Sequence, residues 1–407
     1  MRGFSRHESS TIGCFAHDVI RITLWVLLPM CLTYALFLVS QGVIQNMSDY
    51  LTVTTLAGDS QSIAMGPVAS QEAVKLLGTN GGGFFNVNSA HPFENPTPLT
   101  NFLEALAIFA IPTGLTYAFG RMVGHQREGW MLWQVMGALF VLAFTAFVYT
   151  ESTGNPLLQA IGAEGLSWEG KDARFDLGAL SLFSTVTTSA SCGAVAVMHD
   201  SLMPLSGMVT MVLMQLGEVV FGGVGAGFYG MIVMAVIAVF IASLMVGRTP
   251  EYLGKKITPK EMKLAALTML TVPFIVLAGT GVNLMLPGAL ESLNNPGAHG
   301  LSEILYAWTS AANNNGSAFA GLNANTAFYN IGLAIAMWLG RFIVIVLTLA
   351  LAGTLARERH VPSGKGTLDT ASHLFAGLLI GVVLLVGALT YLPVLALGPV
   401  AEMLSLL

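Results

Sequence analysis

The stretch Leu77–Ser89 reads LGTNGGGFFNVNS and places three consecutive glycines between an apolar helical run and two phenylalanines. Such bare backbone is unusual beside membrane segments, because lipid cannot satisfy its amide and carbonyl groups. At membrane depth it persists only where it is buried in protein or lines an aqueous cavity. The stretch therefore predicts an internal polar feature in a membrane protein.

The composition of the chain is that of an integral membrane protein. Of its 407 residues, 54% are hydrophobic types and 10% are charged, whereas soluble domains carry about 25% charged residues. The spacing of Cys14, Cys31 and Cys192 suits neither a disulfide framework nor a metal site. The first apolar run, 19–39, is too long for a signal-peptide core, so we interpret it as a retained span.

Seven segments are long enough to cross a bilayer, which takes roughly 20 apolar residues. They are 19–40, 99–120, 130–150, 207–247, 264–287, 328–355 and 374–397. The fourth contains GGVGAGFYG and is predicted to be one crossing that is broken there. Three shorter apolar stretches, each ending at a glycine motif, are predicted to be re-entrant: 67–78, 177–190 and 301–312.

Basic residues predict the orientation, because cytoplasmic loops are enriched in lysine and arginine. One side carries Arg2, Arg6, Arg21, Arg121, Arg127, Arg248, Lys255, Lys256, Lys260, Lys263, Arg357, Arg359 and Lys365. The other side carries only Lys75, Lys171 and Arg174. The N-terminus is therefore predicted to be cytoplasmic, and the re-entrant stretches are predicted to open to the outside.

An internal repeat connects the glycine motifs. Asn80-Gly81-x-x-Phe84-x-x-x-Asn88 matches Asn315-Gly316-x-x-Phe319-x-x-x-Asn323, and Cys192-Gly193 is a weaker third relative. Each motif follows a re-entrant stretch and lies between two spans. Recurrence at matching positions indicates a repeated unit of span, half-helix, glycine turn and span.

A ring of such turns can direct backbone carbonyls at a dehydrated cation. Glycine provides the required dihedral angles, and the negative end of each preceding half-helix favours a cation. Pro67 is expected at a first helical position, and Ser302 with Glu303 is expected to cap another half-helix. In the alternative, these glycines only permit close helix packing or extramembrane turns.

Five longer motifs carry a resemblance to a known family. They are GTNGGGFFNVNSAHPFENPT, SASCGAVAVMHDS, GEVVFGGVGAGFYGM, GRTPEYLGKKI and TSAANNNGSAFAGL. From about Arg21 onward, the chain resembles the KdpA family, the A subunit of potassium-transporting ATPases. The resemblance implies an all-α polytopic membrane protein with K⁺-channel-like repeats. It also implies a K⁺-binding subunit of an ATP-driven uptake complex in the bacterial cytoplasmic (inner) membrane, whose partners are a P-type ATPase subunit, KdpB, and the smaller C and F subunits.

The resemblance also implies the site residues. The filter, where K⁺ is the only metal expected, corresponds to Thr79, Asn80, Gly81, Gly82, Ser191, Cys192, Gly193, Asn314, Asn315 and Gly316. The gate or ion path corresponds to the broken span, with Glu218, Gly222, Gly223, Gly225 and Gly227, and we add Arg341 to it. No catalytic residue and no covalently bound cofactor is implied, since ATP is expected to act only through the P-type ATPase partner.

The sequence departs from the family at its start, because members have a further span and a first repeat with its own filter strand. The expected division is a cytoplasmic segment 1–18, the family's second, third and fourth repeats at 19–125, 126–258 and 259–366, and a C-terminal helix and tail at 367–407. A four-cornered filter lacking one corner cannot surround an ion. The chain is therefore expected to be truncated or mis-started, or to receive the missing quarter from another polypeptide.

Several other signals leave alternatives open. Gly225-Ala-Gly227-Phe-Tyr-Gly230 matches a dinucleotide motif, but a membrane span precedes it and no acidic residue follows at the required distance. A break in the helix is favoured, with a packing face at Gly223 and Gly227 as the alternative. Glu218 and Arg341 either line the ion path, or they pair with each other or extend to an interface.

Charged residues in two loops also have more than one interpretation. His91 and Glu94 are expected to form a structural turn rather than a metal site. Glu251 and the lysines after Arg248 form either a solvated loop or a docking surface for the ATPase subunit. The sequence has no Walker-type or Asp-Lys-Thr-Gly motif, so it predicts a non-enzymatic subunit. The alternatives are a passive K⁺ channel or symporter subunit, and a remnant that does not transport.

Overall fold

The computed structural model describes residues 1–163, 165–361 and 367–407. Lys365, one of the basic residues used to predict the orientation, lies outside the described residues, as does the end of the predicted segment 259–366. In chain order the main elements are α1 (Arg2–Ser5), α2 (Phe15–Ser40), β1 (Leu51–Thr54), β2 (Ser60–Ile63), α3 (Val68–Leu77), α4 (Pro98–Val123), α5 (Gln126–Ser152), α6 (Leu177–Ser189), α7 (Pro204–Gln215), α8 (Ala226–Met245), β3 (Glu251–Tyr252), β4 (Lys255–Lys256), α9 (Pro259–Met285), α10 (Ala298–Asn313), α11 (Ala327–Arg357) and α12 (His373–Leu406).

The chain is an all-α polytopic membrane protein, as predicted. Among the described residues, seven helices are long and apolar enough to cross a membrane: α2, α4, α5, α8, α9, α11 and α12. The strands form only two antiparallel hairpins, β1–β2 and β3–β4. Short helical turns at Asn88–Ala90, Pro156–Ala160, His199–Ser201 and Pro287–Leu290 complete the connections.

The fourth predicted span is divided differently from the prediction. It forms α7, which has 12 residues, and α8, which has 20 and is long enough to span by itself. The chain between them, 216–225, is not helical, and Gly225 precedes α8 with a φ of 86°. The break therefore lies earlier than the centre of GGVGAGFYG, whose second half already belongs to α8.

Polar side chains define several helix starts, because they accept hydrogen bonds from otherwise unpaired N–H groups. Thr258 and Glu261 form a capping box at α9, and the Asp176 side chain accepts from the Ala179 N–H at α6. The prediction that Ser302 caps α10 is wrong. That helix begins at Ala298 after Gly297, whose φ of 77° turns the chain one helical turn earlier.

The three half-helices occupy equivalent places in the fold. The helix α3 packs between α2 and α4, α6 packs between α5 and α7, and α10 packs between α9 and α11. Pro67 occupies the N-cap of α3 rather than the expected first helical position. Each half-helix is thus enclosed by the elements before and after it. This arrangement has the order of the repeat detected in the sequence.

The N-terminal segment is more than a polar lead-in. Phe4 is buried and its ring packs edge-on against Tyr252 and Phe119, with ring centroids 5.1 and 6.2 Å apart. Lys255 is also buried, and its ammonium donates to the carbonyls of Arg6 and Glu358 at 2.7 Å. One aromatic side chain therefore anchors a segment that shows no apolar periodicity.

Candidate ion-binding site

The three half-helices end in the same backbone conformation. The residue after the end of each helix has a left-handed φ, with 48° at Thr79, 58° at Ser191 and 61° at Asn314. The next N–H then donates to the carbonyl five residues back: Asn80 to Lys75 at 2.9 Å, Cys192 to Thr187 at 3.1 Å, and Asn315 to Ser310 at 2.9 Å. The repeat is therefore present in backbone geometry as well as in sequence.

The glycines that follow these turns meet around one centre. A Cβ on Gly81 would lie 2.6 Å from the Cys192 carbonyl oxygen and 2.7 Å from the Gly193 Cα. A Cβ on Gly193 would collide with the Asn315 carbonyl oxygen, and one on Gly316 would lie 3.5 Å from the Gly81 Cα. Residues separated by more than a hundred positions in sequence thus approach so closely that only glycine fits.

Side chains of the three turns connect neighbouring loops. The Ser191 hydroxyl donates to the Asn314 carbonyl at 3.3 Å, and the Cys192 thiol lies 3.7 Å from the Asn80 carbonyl oxygen. Within the fourth-repeat loop, the Gly316 N–H donates to the Ser310 hydroxyl at 3.0 Å. Because half-helix C-termini carry partial negative charge, the place where they meet is electrostatically suited to a cation.

The ring is more enclosed on two sides than on the third. Cys192 and Asn315 are buried, whereas Asn80 is exposed. Asn80 and Gly81 line an open groove of about 480 Å³ together with α3. Gly82 has a φ of 90° and open space where a Cβ would stand. The described residues thus supply three loops to this centre.

The irregular segment 216–225 lies directly against these loops. A Cβ on Gly223 would lie 2.8 Å from the Ser191 Cβ and 3.3 Å from the Thr79 hydroxyl oxygen. The Val224 N–H donates to that hydroxyl at 3.0 Å. The Asn315 side-chain amide donates to the Glu218 carboxylate at 2.8 Å. Two of the three turns are therefore hydrogen-bonded to the break in the third repeat.

Glycines within the break serve its own folding. A Cβ on Gly222 would collide with the Glu218 carbonyl oxygen, and one on Gly227 would collide with the Gly222 Cα. Gly225 is the residue before α8. The helix-packing alternative for Gly223 and Gly227 does not describe this region, since the first contacts the filter loops and the second contacts its own segment.

A polar cavity of about 80 Å³ adjoins the break. Its lining includes Gln215, Glu218, Asn314 and Arg341. A water needs about 10–15 Å³ measured in this way, so the cavity has room for several waters. Among the described residues, Arg341 and Glu218 form no ion pair at 4.0 Å or less, and the Glu218 carboxylate instead accepts from the Asn315 amide.

We expect Thr79→Val to loosen the contact between the first filter turn and the break. The substitution removes the acceptor of the Val224 N–H, and such a bond contributes roughly 1 kcal/mol net. Amide hydrogen exchange at Val224 should then be about fivefold faster. The control is Thr113→Val, because the Thr113 hydroxyl bonds only to carbonyls of its own helix. Unchanged exchange at Val224 would contradict the assigned role.

A buried ionic network behind the first turn was not predicted. The Lys75 ammonium lies 2.6 Å from a Glu72 carboxylate oxygen and 3.4 Å from one of Glu94. The other Glu94 oxygen accepts the Phe85 N–H at 2.6 Å, and His91 stacks on the Phe85 ring. Glu94 therefore supports the chain after the filter turn, as expected of a structural turn rather than of a metal site.

The available sequence signal for this network was the pair Glu72 and Lys75, three residues apart in an otherwise apolar half-helix. An ion pair at this spacing is ordinary on an exposed helix. Only the packing shows that both side chains are buried. A second unpredicted cluster of ionisable side chains lies around His299, at the start of α10.

The fold and site together define a class of helical membrane proteins in which re-entrant half-helices converge on a polar centre suited to a cation. The KdpA family model, described as the potassium-transporting ATPase A subunit, matches residues 1–404. The chain therefore belongs to the KdpA family.

Named relatives agree with this assignment. The chain is similar to the potassium-transporting ATPase potassium-binding subunit of Methylibium petroleiphilum, with 59% identity over 99% of this chain and 72% of the relative. The subunit of the same name from Rhodopseudomonas palustris is 55% identical over 100% and 72%. That of Yersinia enterocolitica is 58% identical over 99% and 72%.

Proposed function

We propose that this chain is the potassium-binding and translocating subunit of an ATP-driven K⁺ uptake complex. The observation that carries the proposal is the meeting of Gly81, Gly193 and Gly316 at the ends of three equivalent half-helices. Closely spaced turns can replace the hydration shell of K⁺ with backbone carbonyl oxygens. The names of the relatives, which are potassium-binding subunits, support the same ion.

The filter comprises the ten residues 79–82, 191–193 and 314–316. Potassium enters from the extracytoplasmic side, since the predicted orientation places the half-helices on the face poor in lysine and arginine. We infer that a further loop closes the ring at the groove beside Asn80 and Gly81, where this side is open. The N-terminus then lies in the cytoplasm of a bacterium, and the chain lies in its inner membrane.

A pump subunit is favoured over a passive channel by the segment 216–225. This segment packs against the filter turns and is hydrogen-bonded to Thr79 and Asn315, so a straight pore would require it to move. The adjoining cavity at Glu218 and Arg341 gives the ion a polar environment beyond the filter. ATP hydrolysis belongs to the P-type ATPase partner, KdpB, with the C and F subunits completing the complex.

Radioactive Rb⁺ uptake distinguishes the pump from a channel. Proteoliposomes containing this chain with its co-expressed partner subunits should take up Rb⁺ only when ATP is supplied to the cytoplasmic face of the ATPase subunit. Vesicles containing this chain alone are the matched control and should show no uptake above empty vesicles. Equal uptake with and without ATP would favour a passive channel, and no uptake in either condition would favour a non-transporting remnant.

A further inference from the structure

Four ionisable side chains from distant parts of the chain meet at the start of α10. The His299 Nε2 lies 3.1 Å from an Asp200 carboxylate oxygen and 4.0 Å from one of Glu303. The other ring nitrogen, Nδ1, lies 2.8 Å from a Glu402 oxygen. Asp200 follows the third-repeat filter turn, His299 and Glu303 lie on α10, and Glu402 lies near the end of α12.

The carboxylates of Asp200 and Glu303 point toward one place. A Cβ on Gly321 would lie 2.6 Å from the second Asp200 oxygen and would collide with a Glu303 oxygen. Glycine at this position therefore leaves space into which both carboxylates project. His299 Nε2 borders the same space through its approach to both of them.

Glu303 has an unpaired oxygen in this cluster. Its side chain is fully buried, and one oxygen accepts from the Asn295 side-chain amide at 2.7 Å. The other oxygen, Oε2, is buried with no hydrogen-bond partner among the described residues. A buried carboxylate oxygen without a partner is costly, and a bound ion is one way in which such a group is satisfied.

The charges of the cluster do not balance. Three carboxylates face one imidazole, so even a protonated His299 leaves a net charge of about −2. In the described part of the chain, no ion pair brings a lysine or arginine to Asp200, Glu303 or Glu402. A divalent cation would remove this imbalance.

We propose that this cluster is a divalent metal site in which Asp200, the Nε2 of His299 and Glu303 are the ligands. Glu402 would then accept the Nδ1–H, which is the carboxylate–histidine–metal arrangement that orients metal-binding imidazoles. Ligand atoms about 2.0–2.2 Å from a metal lie roughly 3.0–3.5 Å apart. The three groups offer ligand atoms within 4.8 Å of one another, so binding requires only a small closure.

The ligand set selects the class of metal. Imidazole suits zinc and other transition metals, while carboxylate oxygens suit manganese and calcium. One nitrogen with two carboxylates therefore favours Zn²⁺ or Mn²⁺ over Ca²⁺, which prefers six to eight oxygen ligands. Burial lowers the pKa of His299, but hydrogen bonds to Asp200 and Glu402 raise it to about 10. The unloaded ring is therefore an imidazolium, and the metal displaces its Nε2 proton.

The bound metal would connect three parts of the outer face. It would join the segment after the third-repeat turn to the fourth half-helix, and Glu402 would add the C-terminal helix. The site is separate from the proposed K⁺ filter. Its occupancy can therefore be measured without any transport.

The test uses the full chain, purified in detergent, with Zn²⁺ and Mn²⁺ as probes and Ca²⁺ for comparison. Elemental analysis after dialysis should give one zinc or manganese per chain, and titration with either metal should raise the melting temperature. Asp200→Asn and Glu303→Gln should each weaken binding at least tenfold. Glu402→Gln should weaken it about tenfold, as expected for a residue that orients a ligand.

The control variant is Glu291→Gln, because Glu291 is an exposed carboxylate in the loop before α10 and should leave metal binding unchanged. Each variant is first compared with the parent chain by size-exclusion profile without metal, so that loss of folding is separated from loss of binding. The proposal is overturned if the parent chain holds no zinc or manganese and shows no melting shift. It is also overturned if the folded Asp200→Asn and Glu303→Gln variants bind like the parent.

Discussion

Gly193→Ala is expected to abolish high-affinity K⁺ uptake while leaving the chain in the membrane. A methyl group there would collide with the Asn315 carbonyl oxygen and lie 2.9 Å from the Gly316 Cα. Gly193 also has a φ of 79°, a conformation that costs a residue with a Cβ roughly 1–2 kcal/mol. The two filter turns must therefore separate, which moves the carbonyl oxygens that the proposed function requires.

The measurement is the K⁺ concentration needed for half-maximal growth of a bacterial strain that depends on this complex. We expect Gly193→Ala to raise it at least tenfold. The control is Gly114→Ala, because Gly114 lies inside α4 with open space where a Cβ would stand, and alanine suits a helix interior. If Gly193→Ala grew like the parent at low K⁺, the three turns would not form the ion site.

The features predicted most accurately from sequence are those encoded locally. The lengths of the apolar runs indicate which helices span and which are re-entrant, and the structure has half-helices at Val68–Leu77, Leu177–Ser189 and Ala298–Asn313. The glycine motifs fix the turns after them, because a left-handed conformation depends mainly on one or two residues. The association of the three turns follows from their repetition, not from any single motif.

The features missed depend on contacts between segments far apart in sequence. Lys75 has the sequence context of an ordinary outward-facing cation, yet its neighbours bury it against Glu94. No local pattern identifies His299 as a site residue, because its partners Asp200 and Glu402 are about a hundred positions away in either direction. Periodicity and spacing carry no information about such pairs.

The missed boundaries have a similar cause. Ser302 and Glu303 have the residue types of a helix cap, but Gly297 allows α10 to start earlier, so both lie inside the helix. The sequence pattern places the glycine-rich break too late, since glycine composition alone does not show that Gly227 continues a helix. Both errors come from several nearby residues competing for one structural role, and tertiary packing decides between them.

Lys75→Met is expected to destabilise the fold by roughly 3–5 kcal/mol, the usual cost of removing one partner of a buried ion pair. Methionine keeps most of the side-chain volume, so the loss comes mainly from charge. It would leave the carboxylates of Glu72 and Glu94 buried without their cation. Unfolding in detergent measures the change, and Lys260→Met, at an exposed cytoplasmic lysine, should cost less than about 0.5 kcal/mol.

A double variant separates the electrostatic cause from a general packing defect. In Lys75→Met with Glu72→Gln, the carboxylate closest to the missing ammonium is also neutralised. The combined loss of stability should therefore be smaller than the sum of the two single losses by at least about 1 kcal/mol, as is typical of coupled neighbours. Strict additivity would show that Lys75 acts through packing alone. A matching partial recovery of K⁺ affinity would show that the network supports the filter, because Glu94 also accepts the Phe85 N–H after the first turn.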